Sequence, residues 1–309
     1  MLTRDVGVAA RALVAGGLVA IPTETVYGLG ADADNEAAVR RIFEVKARPP
    51  SHPLIVHVLL DDVGAWVRDV PPTAEVLARA CWPGPLTLLL LRAERVLDVV
   101  TGGRDTIGLR VPAHPVAQEL LARSGRGVAA PSANRFGRVS PTTARHVVDD
   151  LGPLLDPRHD VILDGGASPI GVESTIVDCT VDPPQLLRPG GIPAEDIERL
   201  LDQALAPPSG PSRAAGMLAA HYAPAAEVVL VDTPQEGEHR SRELTRAGRR
   251  VEVLDLSTDL VRYARELYSR LRDADAAGAD VVVAVLPPPR GLGHAIRDRL
   301  TKAAAAARP

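Results

Sequence analysis

The sequence predicts an α/β protein with two domains. Helix-like and strand-like segments alternate through residues 1–206, and the run LTLLLL at 86–91 has the continuous apolar character of a strand covered on both faces. The alternation stops in a segment at 207–226 that is rich in proline, glycine, serine and alanine, and it restarts at 227–309. We therefore predict an open, twisted, mixed sheet with flanking helices, a linker, and a small Rossmann-like three-layer α/β domain.

The first domain is predicted to begin with an amphipathic helix, because residues 1–17 carry Asp5 and two arginines and do not have the profile of a signal peptide. A strand at 18–22 is expected to end near a Gly28-Leu29-Gly30 turn, and Asp34 is expected to cap a helix that runs to about Lys46. Further strands are predicted at 54–60, 86–91, 106–111, 128–131, 161–163, 174–179 and 185–187, with helices at 61–67, at 114–122, from a Ser140 or Thr142 cap onward, and at 193–205.

The second domain is predicted from hydrophobic strands separated by helical or polar segments. Strands are expected at 228–232, 251–257 and 280–286, a polar segment after the first, a long helix at 260–276 and a closing helix within 291–307.

Composition excludes several classes of protein. The chain of 309 residues has a net charge of −4 and only 3% aromatic residues, which argues against a basic or aromatic nucleic-acid surface. Cys81 and Cys179 lie too far apart in the sequence to suggest a zinc site or a disulfide scaffold. No apolar run reaches membrane-spanning length, so we expect a cytoplasmic protein without a membrane partner.

Polar side chains lie at or beside the ends of several predicted strands, where open α/β sheets bind ligands. They are Thr25, His57, Arg110, Ser132 and Ser174. Each has a simpler interpretation: a serine can form a turn, His57 can be a half-exposed strand residue, and Arg110 can be a structural ion-pair partner. Together with the cations Lys46, Arg48 and Arg188 they suit an anionic ligand with several phosphates or carboxylates.

Lys46 stands out within this set. Only Lys46 and Lys302 are lysines among 35 basic residues, so generic surface charge in this chain is supplied by arginine. A solvated lysine at a helix end remains the alternative interpretation.

The common phosphate and hydrolase signatures are missing from the sequence. GxxxxGK[ST], GxSxG and HExxH do not occur, and two GxG pairs are too short to predict a dinucleotide fold.

A series of motifs in one order resembles the YrdC-like family, the threonylcarbamoyl-adenylate synthases. The motifs are PTETVYGLG at 22–30, KARP at 46–49 with PL at 53–54, PGPLT at 83–87, RVP at 110–112, PSAN at 131–134 with SPT at 140–142, STIVD at 174–178 and RPG at 188–190. The tail resembles the long, two-domain form through GM at 216–217, HYAP at 221–224, GLGHAI at 291–296 and RL at 299–300. The resemblance implies a YrdC-like fold for the first domain.

The resemblance also implies a reaction. L-Threonine, bicarbonate and ATP would give threonylcarbamoyl-AMP and pyrophosphate, an adenylyl transfer that is the first step of threonylcarbamoyladenosine modification of tRNA. Downstream transferase proteins would complete the modification, so direct tRNA binding is expected to be weak or absent. Mg²⁺ would accompany ATP, held mainly by the triphosphate and by no dedicated protein ligands.

By the same resemblance, Lys46 and Arg48 are the expected catalytic residues. L-Threonine is expected to contact Thr25, His57, Arg110, Ala130 and Ser174, with a two-pronged contact between Arg110 and its carboxylate. ATP is expected to contact Lys46, Arg48, His52, Thr106, Ser132, Ser140, Arg188 and Tyr222, the last as part of a lid on the linker.

The chain departs from the family pattern at a few positions. His52 replaces a common lysine, Ala214 and Ala215 replace a usual Ser-Pro, and the segment from Leu218 lacks basic residues. Two alternatives stay open: a related enzyme that forms carbamoyl-adenylate in a specialised pathway, and an RNA-binding or regulatory module with a vestigial pocket.

Overall fold

The computed structural model describes residues 1–209 and 221–306. It confirms the α/β class and contains two sheets with flanking helices. Most of the expected linker, including Ala214, Ala215, Gly216, Met217 and Leu218, lies outside the described residues.

The larger domain is built on a mixed sheet. Its strands are β1 (Leu2–Thr3), β2 (Val19–Ile21), β3 (Gly28–Asp32), β4 (Ile55–His57), β5 (Leu86–Leu91), β6 (Thr106–Arg110), β7 (Val128–Ala129), β8 (Val161–Leu163), β9 (Thr175–Asp178) and β10 (Gln185–Arg188). Its helices are α1 (Val6–Val14), α2 (Glu36–Lys46), α3 (Pro72–Cys81), α4 (Asp98–Thr101), α5 (Pro115–Ser124), α6 (Ala144–Leu151) and α7 (Ala194–Leu201), with 3-10 helices at Leu60–Ala65 and Gly152–Leu154.

The strand order of this sheet brings separate polar segments to one edge. The order is β1-β8-β2-β3-β7-β4-β6-β5-β9-β10. Strands β4 and β6 are parallel and pair His57 with Arg110, whereas β7 is antiparallel to β4. Because β4 and β6 run in the same direction, their carboxyl ends place His57 and Arg110 side by side. Strand β5 lies between β6 and β9 and is buried at Leu86–Leu90, as the apolar run predicted.

The smaller domain has a parallel sheet with flanking helices. Its strands are β11 (Glu227–Val231), β12 (Val251–Leu254) and β13 (Val281–Val285), in the order β11-β13-β12, and its helices are α8 (Pro234–Arg246), α9 (Leu260–Ala276) and α10 (Gly293–Ala306). The long helix has the bounds that the sequence predicted.

The prediction of a turn at Gly28-Leu29-Gly30 was wrong, because these residues open strand β3. Both glycines lie in a strand that is buried along its length. A Cβ on Gly30 would lie 2.5 Å from Val128 Cγ1 on the neighbouring strand, and one on Gly28 would lie 3.1 Å from Ala130 Cβ. The glycines therefore allow close approach of strands rather than a change of direction.

Two predicted helix caps were also wrong. Asn35, and not Asp34, accepts a hydrogen bond from Ala38 N at 3.1 Å, while Asp34 pairs with Arg95. Thr143 caps α6 by accepting from His146 N at 3.2 Å. Neither Ser140 nor Thr142 is the cap, because their hydroxyls bond to side chains elsewhere in the fold.

Other element boundaries differ from the predictions. The strands predicted at 54–60 and 251–257 end at His57 and Leu254, and the segment at 61–67 is mainly a 3-10 helix. The helix predicted to reach residue 205 ends at Leu201, where Asp202 takes a left-handed φ of 51°. The polar segment after β11 is helix α8, which a capping box between Thr233 and Glu236 begins.

The two domains share a hydrophobic core. Val26, Val139 and Val172 of the larger domain pack in one cluster with residues of α9 and α10, among them Leu267 and Ile296. We call this cluster the shared core. The Thr142 and Ser269 hydroxyls lie 3.2 Å apart at its margin, and Arg272 of α9 forms an ion pair of 2.6 Å with Asp150.

Candidate active site

A cavity opens at the carboxyl ends of β4 and β6. Most of the residues singled out from the sequence line it: Thr25, Arg48, His57, Arg110, Ala130, Ser132, Ser174, Arg188 and Tyr222. They come from the ends of β4, β6, β7, β9 and β10, from the segment between β2 and β3, from the loop after α2 and from the expected linker. The fold therefore gathers residues that are far apart in the sequence.

Lys46 lies behind the cavity wall. It is the last residue of α2 and is 1% exposed, so the interpretation as a solvated lysine was wrong. Its Nζ donates to Ser132 O at 2.6 Å and also to Asn134 O. Burial lowers its pKa well below 10.5. Lys46 therefore anchors the backbone of the segment that supplies Ser132 to the cavity.

Arg48 is the cation that the loop after α2 presents to the cavity. Its Nη2 donates to Pro53 O at 3.2 Å, and its guanidinium carbon lies 5.8 Å from the centre of the Phe136 ring. Its Nε is buried and makes no hydrogen bond. His52 packs on the same ring with centroids 5.5 Å apart, so His52 is close to Arg48 although it does not line the cavity.

Thr106 and Ser140 are not among the lining residues. Thr106 is at the amino end of β6, the end away from Arg110, and lies two residues before Gly108, which pairs with Ile55. It is therefore beside the segment that leads from Arg48 into β4. Ser140 is fully buried, and its hydroxyl donates to Glu173 Oε1 at 2.6 Å.

Arg110 is held in place by three contacts. Its Nη1 donates to Thr25 Oγ1 at 2.8 Å, its Nε donates to Gly84 O at 3.3 Å, and its Nη2 lies 2.7 Å from Glu24 Oε1 in an ion pair. The Nη2 pair is too bent to count as a hydrogen bond. These contacts engage at most three of the five N–H groups of the guanidinium, so one on Nη1 and one on Nη2 stay available to a ligand carboxylate. The alternative interpretation of Arg110 as a partner in a structural ion pair is confirmed.

His57 is buried next to Arg110 and faces the cavity. Burial, reinforced by the Arg110 charge, lowers its pKa to about 3, so the imidazole is neutral near pH 7. Its Nδ1 makes no hydrogen bond within the protein. A neutral imidazole beside a cation can accept or donate one hydrogen bond to a polar ligand.

Ser174 joins two sides of the cavity. Its hydroxyl lies 2.8 Å from Thr87 Oγ1 and accepts from Arg188 Nη2 at 3.0 Å, and its carbonyl accepts from the same guanidinium. Arg188 ends β10 and is buried, so the antiparallel pair β9–β10 fixes both residues.

Glu173 is a cavity residue that the sequence reasoning missed. Its carboxylate accepts from Ser140, from Tyr268 Oη at 2.8 and 3.0 Å, and from Arg299 Nε at 2.9 Å. Burial alone would raise its pKa, but Arg299, Arg188 and these hydrogen bonds outweigh burial and lower it to about 2. Two of its partners belong to the smaller domain, so only the fold reveals the group. Its position beside Ser174 in the chain was the one available signal.

Tyr222 and His221 close the cavity on the side of the smaller domain. Tyr222 is 1% exposed, has a left-handed φ of 62°, and stacks on Tyr268 with centroids 5.7 Å apart. Burial and the nearby Glu173 raise its pKa to about 12. His221 lies edge-on to Tyr222, at 4.1 Å, and was singled out in the sequence only as part of a motif.

The charges of the cavity favour an anionic ligand. Three guanidinium groups line it, and the carboxylate that lines it, Glu173, is paired with Arg299. Glu24 does not line the cavity and is paired with Arg110. Within the described residues, no group of three or more His, Cys, Asp or Glu side chains could hold a metal ion. A divalent cation that enters with a polyphosphate would take its ligands chiefly from the phosphates.

No helix in the described part of the chain has both the length and the apolar composition needed to cross a membrane.

Comparisons with known proteins match both domains. A family model described as "Telomere recombination" matches residues 11–190, and one described as "Threonylcarbamoyl-AMP synthase, C-terminal domain" matches residues 192–305. The chain is 43% identical to the threonylcarbamoyl-AMP synthase of Pyrococcus abyssi over 93% of this chain and 90% of the relative. It is 41% identical to that of Bacillus subtilis over 93% and 89%.

A solved structure is similar over almost the whole chain. The crystal structure of P. abyssi Sua5 complexed with L-threonine superposes with a TM-score of 0.93 at 40% identity, and the match covers 99% of this chain and 97% of that chain. Both domains and their arrangement are therefore common to the two proteins.

Proposed function

The chain belongs to the threonylcarbamoyl-AMP synthase family, and from that premise we propose that it converts L-threonine, bicarbonate and ATP into threonylcarbamoyl-AMP and pyrophosphate. The observation that carries the proposal is that Thr25 and Arg110 line the same cavity as Arg48 and Arg188. That cavity offers cations for the carboxylate of a small amino acid and for a polyphosphate.

The chemistry asks for positioning and charge neutralisation. The threonine amine and bicarbonate condense to a carbamate with loss of water. A carbamate oxygen then attacks the α-phosphorus of ATP, the bond from that phosphorus to the bridging oxygen breaks, and pyrophosphate leaves. Both reactants of the second step are anions, so cations that hold them together lower the barrier without a protein nucleophile.

We assign the amino-acid subsite to Thr25, His57, Arg110, Ala130 and Ser174. Arg110 supplies the positive charge for the threonine carboxylate, and its ion pair with Glu24 fixes its orientation. His57, neutral at pH 7, supplies a hydrogen bond to the substrate without adding a second charge.

We assign the nucleotide subsite to Arg48, Ser132, Arg188 and Tyr222, with His52 and Thr106 near the loop at 47–53. Lys46 and Ser140 act from behind the wall, through the Ser132 carbonyl and through Glu173. Lys46 and Arg48 are the residues most important for catalysis in this proposal. Tyr222 covers the nucleotide and keeps water from the labile carbamate.

Mg²⁺ is the proposed cofactor and would enter with ATP. Its role would be to neutralise charge on the β- and γ-phosphates as pyrophosphate forms.

The product is proposed to pass to downstream proteins that modify tRNA in the cytoplasm. We do not assign a tRNA-binding surface to this chain, whose net charge is −4. The comparisons support the synthase over the carbamoyl-adenylate and RNA-binding alternatives.

The test is mass spectrometry of the products formed from ATP, Mg²⁺, bicarbonate and each amino acid in turn. We expect a threonylcarbamoyl-AMP peak and stoichiometric pyrophosphate that both require threonine and bicarbonate. Product formed from carbamoyl phosphate, or with another amino acid and not threonine, would overturn the assignment.

A further inference from the structure

One wall of the cavity carries a negative charge where the proposed function requires an anion to bind. Glu173 lines the cavity together with Arg188 and Tyr222, which are assigned to the nucleotide subsite. An ionised carboxylate there would repel a triphosphate unless a cation neutralised it.

That cation comes from the smaller domain. Arg299 of α10 is 1% exposed and donates from Nε to Glu173 Oε2 at 2.9 Å. Its Nη1 donates to Pro189 O at 2.7 Å, next to Arg188 in the chain, and to Asp298 at 2.8 Å. Its guanidinium carbon lies 5.3 Å from the centre of the Tyr222 ring. Arg299 therefore contacts Glu173, Pro189 and Tyr222 without itself lining the cavity.

The geometry leaves Glu173 little freedom to act as a base. Ser140 donates to Oε1 and Arg299 donates to Oε2, while the Tyr268 hydroxyl lies within hydrogen-bond distance of both oxygens. A carboxylate that accepts from three side chains holds its charge in place and does not readily accept a substrate proton. Its role is then to hold the groups around it in place. Arg299 offsets the free energy that is needed to bury its negative charge.

We propose that Arg299 is a positioning residue for nucleotide binding: it neutralises Glu173, so that the wall formed by Glu173, Arg188 and Tyr222 accepts a polyphosphate. The inference rests on the proposed function for the identity of the ligand. It gives the smaller domain a defined part in the reaction, because α10 completes the electrostatics of a cavity in the larger domain.

The test compares variants that differ in charge at position 299. Isothermal titration measures the affinities for Mg·ATP and for L-threonine, and steady-state assays of pyrophosphate release separate the KM for ATP from kcat. R299Q, which keeps hydrogen-bonding capacity and loses the charge, should raise the Kd and the KM for ATP about tenfold or more. R299K, which keeps the charge but not all the contacts of the guanidinium, should bind ATP more weakly than the wild type and at least about threefold more tightly than R299Q. Threonine affinity should change less than about twofold in both.

The decisive variant removes both charges. In the double variant R299Q/E173Q no buried carboxylate is left unpaired, so at least half of the lost ATP affinity, on a logarithmic scale, should return. R297M is the matched control, because Arg297 lies on the same helix, donates to Pro287 O at 2.9 Å and lies 3.9 Å from Asp232 in an ion pair, away from Glu173. It should bind ATP like the wild type.

The outcomes separate the inference from the proposed function. Equal ATP affinity in R299Q and R299K, or a double variant as weak as R299Q, would overturn the role of Arg299 even if the wild type makes threonylcarbamoyl-AMP. Wild-type protein that binds ATP but releases no threonine-dependent pyrophosphate would overturn the proposed function, while the comparison of affinities would still decide the inference. Circular dichroism checks that each variant is folded. If R299Q is not folded, an ATP affinity of R299Q/E173Q more than about tenfold weaker than that of the wild type would overturn the inference.

Discussion

Lys46 shows how far a single residue could be interpreted from the sequence. Its rarity in an arginine-rich chain marked it as special, and the structure confirms that it is not a solvated lysine. Its contacts with the Ser132 and Asn134 carbonyls could not be predicted, because they depend on where a loop almost ninety residues later passes. The same holds for Glu173, whose partners Tyr268 and Arg299 come from another domain.

Alanine substitutions of Arg48 and Lys46 should differ in their effect on the stability of the protein. Arg48→Ala should lower threonine- and bicarbonate-dependent pyrophosphate release by about a hundredfold or more, because a cavity cation is lost, with little change in stability. Lys46→Ala should also nearly abolish turnover, and it should lower the melting temperature, because two buried carbonyls lose their donor.

Turnover assays and thermal denaturation of both variants check these expectations. Wild-type-like turnover in both variants would reject their assigned role.

His221 should make the stability of the protein depend on pH. Burial, together with Lys46 and Arg48, lowers its pKa to about 3 from the ordinary 6.5. The unfolded chain takes up a proton below pH 6.5 and the folded chain does not, so the free energy of unfolding should fall as the pH falls from 6.5. The fall is about 1.4 kcal/mol per pH unit for each such histidine, and His57 should behave alike.

Urea denaturation between pH 7 and pH 4.5 measures this slope, because the stabilisation that Glu173 contributes is lost mainly at lower pH. His221→Gln should reduce the slope by about one proton, and His239→Gln, which changes an exposed histidine on α8, should leave it unchanged. An unaltered slope in His221→Gln would contradict the assignment.

Strands β9 and β10 show what the element scale adds. The order of the motifs predicted that Ser174 and Arg188 share one site. It did not predict that Gly190 lets their strands approach each other. A Cβ on Gly190 would lie 2.4 Å from Glu173 O, Ser174 C and Thr175 N. The RPG motif therefore keeps β10 close to the start of β9, and with it the bond from Arg188 to Ser174.

Gly190→Ala should push apart the two segments that carry Glu173, Ser174 and Arg188. We expect a loss of about 1–3 kcal/mol in the free energy of unfolding and a weaker affinity for both substrates, because backbone atoms must move. Chemical denaturation and titration calorimetry measure the two effects. Gly64→Ala is the control, since its Cβ would meet no atom within 4 Å, and an equal effect in both variants would reject the explanation.

Boundaries of elements were harder to predict than their existence. Most strands of the larger sheet and helix α9 follow from hydrophobic patterns, whereas the Gly28–Gly30 segment and α8 do not. The glycines were interpreted as a turn because their need for close packing against β7 is a tertiary effect. Helix α8 has a polar surface and depends on its capping box more than on an apolar stripe.

At the scale of the whole molecule, the smaller domain contributes to the candidate active site. Its helices supply Tyr268 and Arg299 to Glu173, and they cover valines of the larger domain in the shared core. The two-domain division was predicted from composition, but the contact between the domains leaves no periodic signal in the sequence.

Deletion of residues 207–309 should therefore impair synthesis more than loss of Tyr222 does. The truncated protein would expose the valines of the shared core and leave Glu173 without Arg299, so we expect a raised KM for ATP and lower solubility. Pyrophosphate release by the truncated protein and by Tyr222→Ala gives the comparison. Kinetics unchanged from the full chain would reject a role for the smaller domain and for Tyr222.

The close approach at Gly171 limits how this architecture can be recombined. With φ at 83° and a Cβ position 2.4 Å from Arg265 Cα, this residue lets the backbone of one domain touch helix α9 of the other. A chimera that joins this first domain to a homologue's second one would have to keep glycine there and a matching helix surface opposite. A substitution on one side of this contact is therefore expected to require a compensating change on the other.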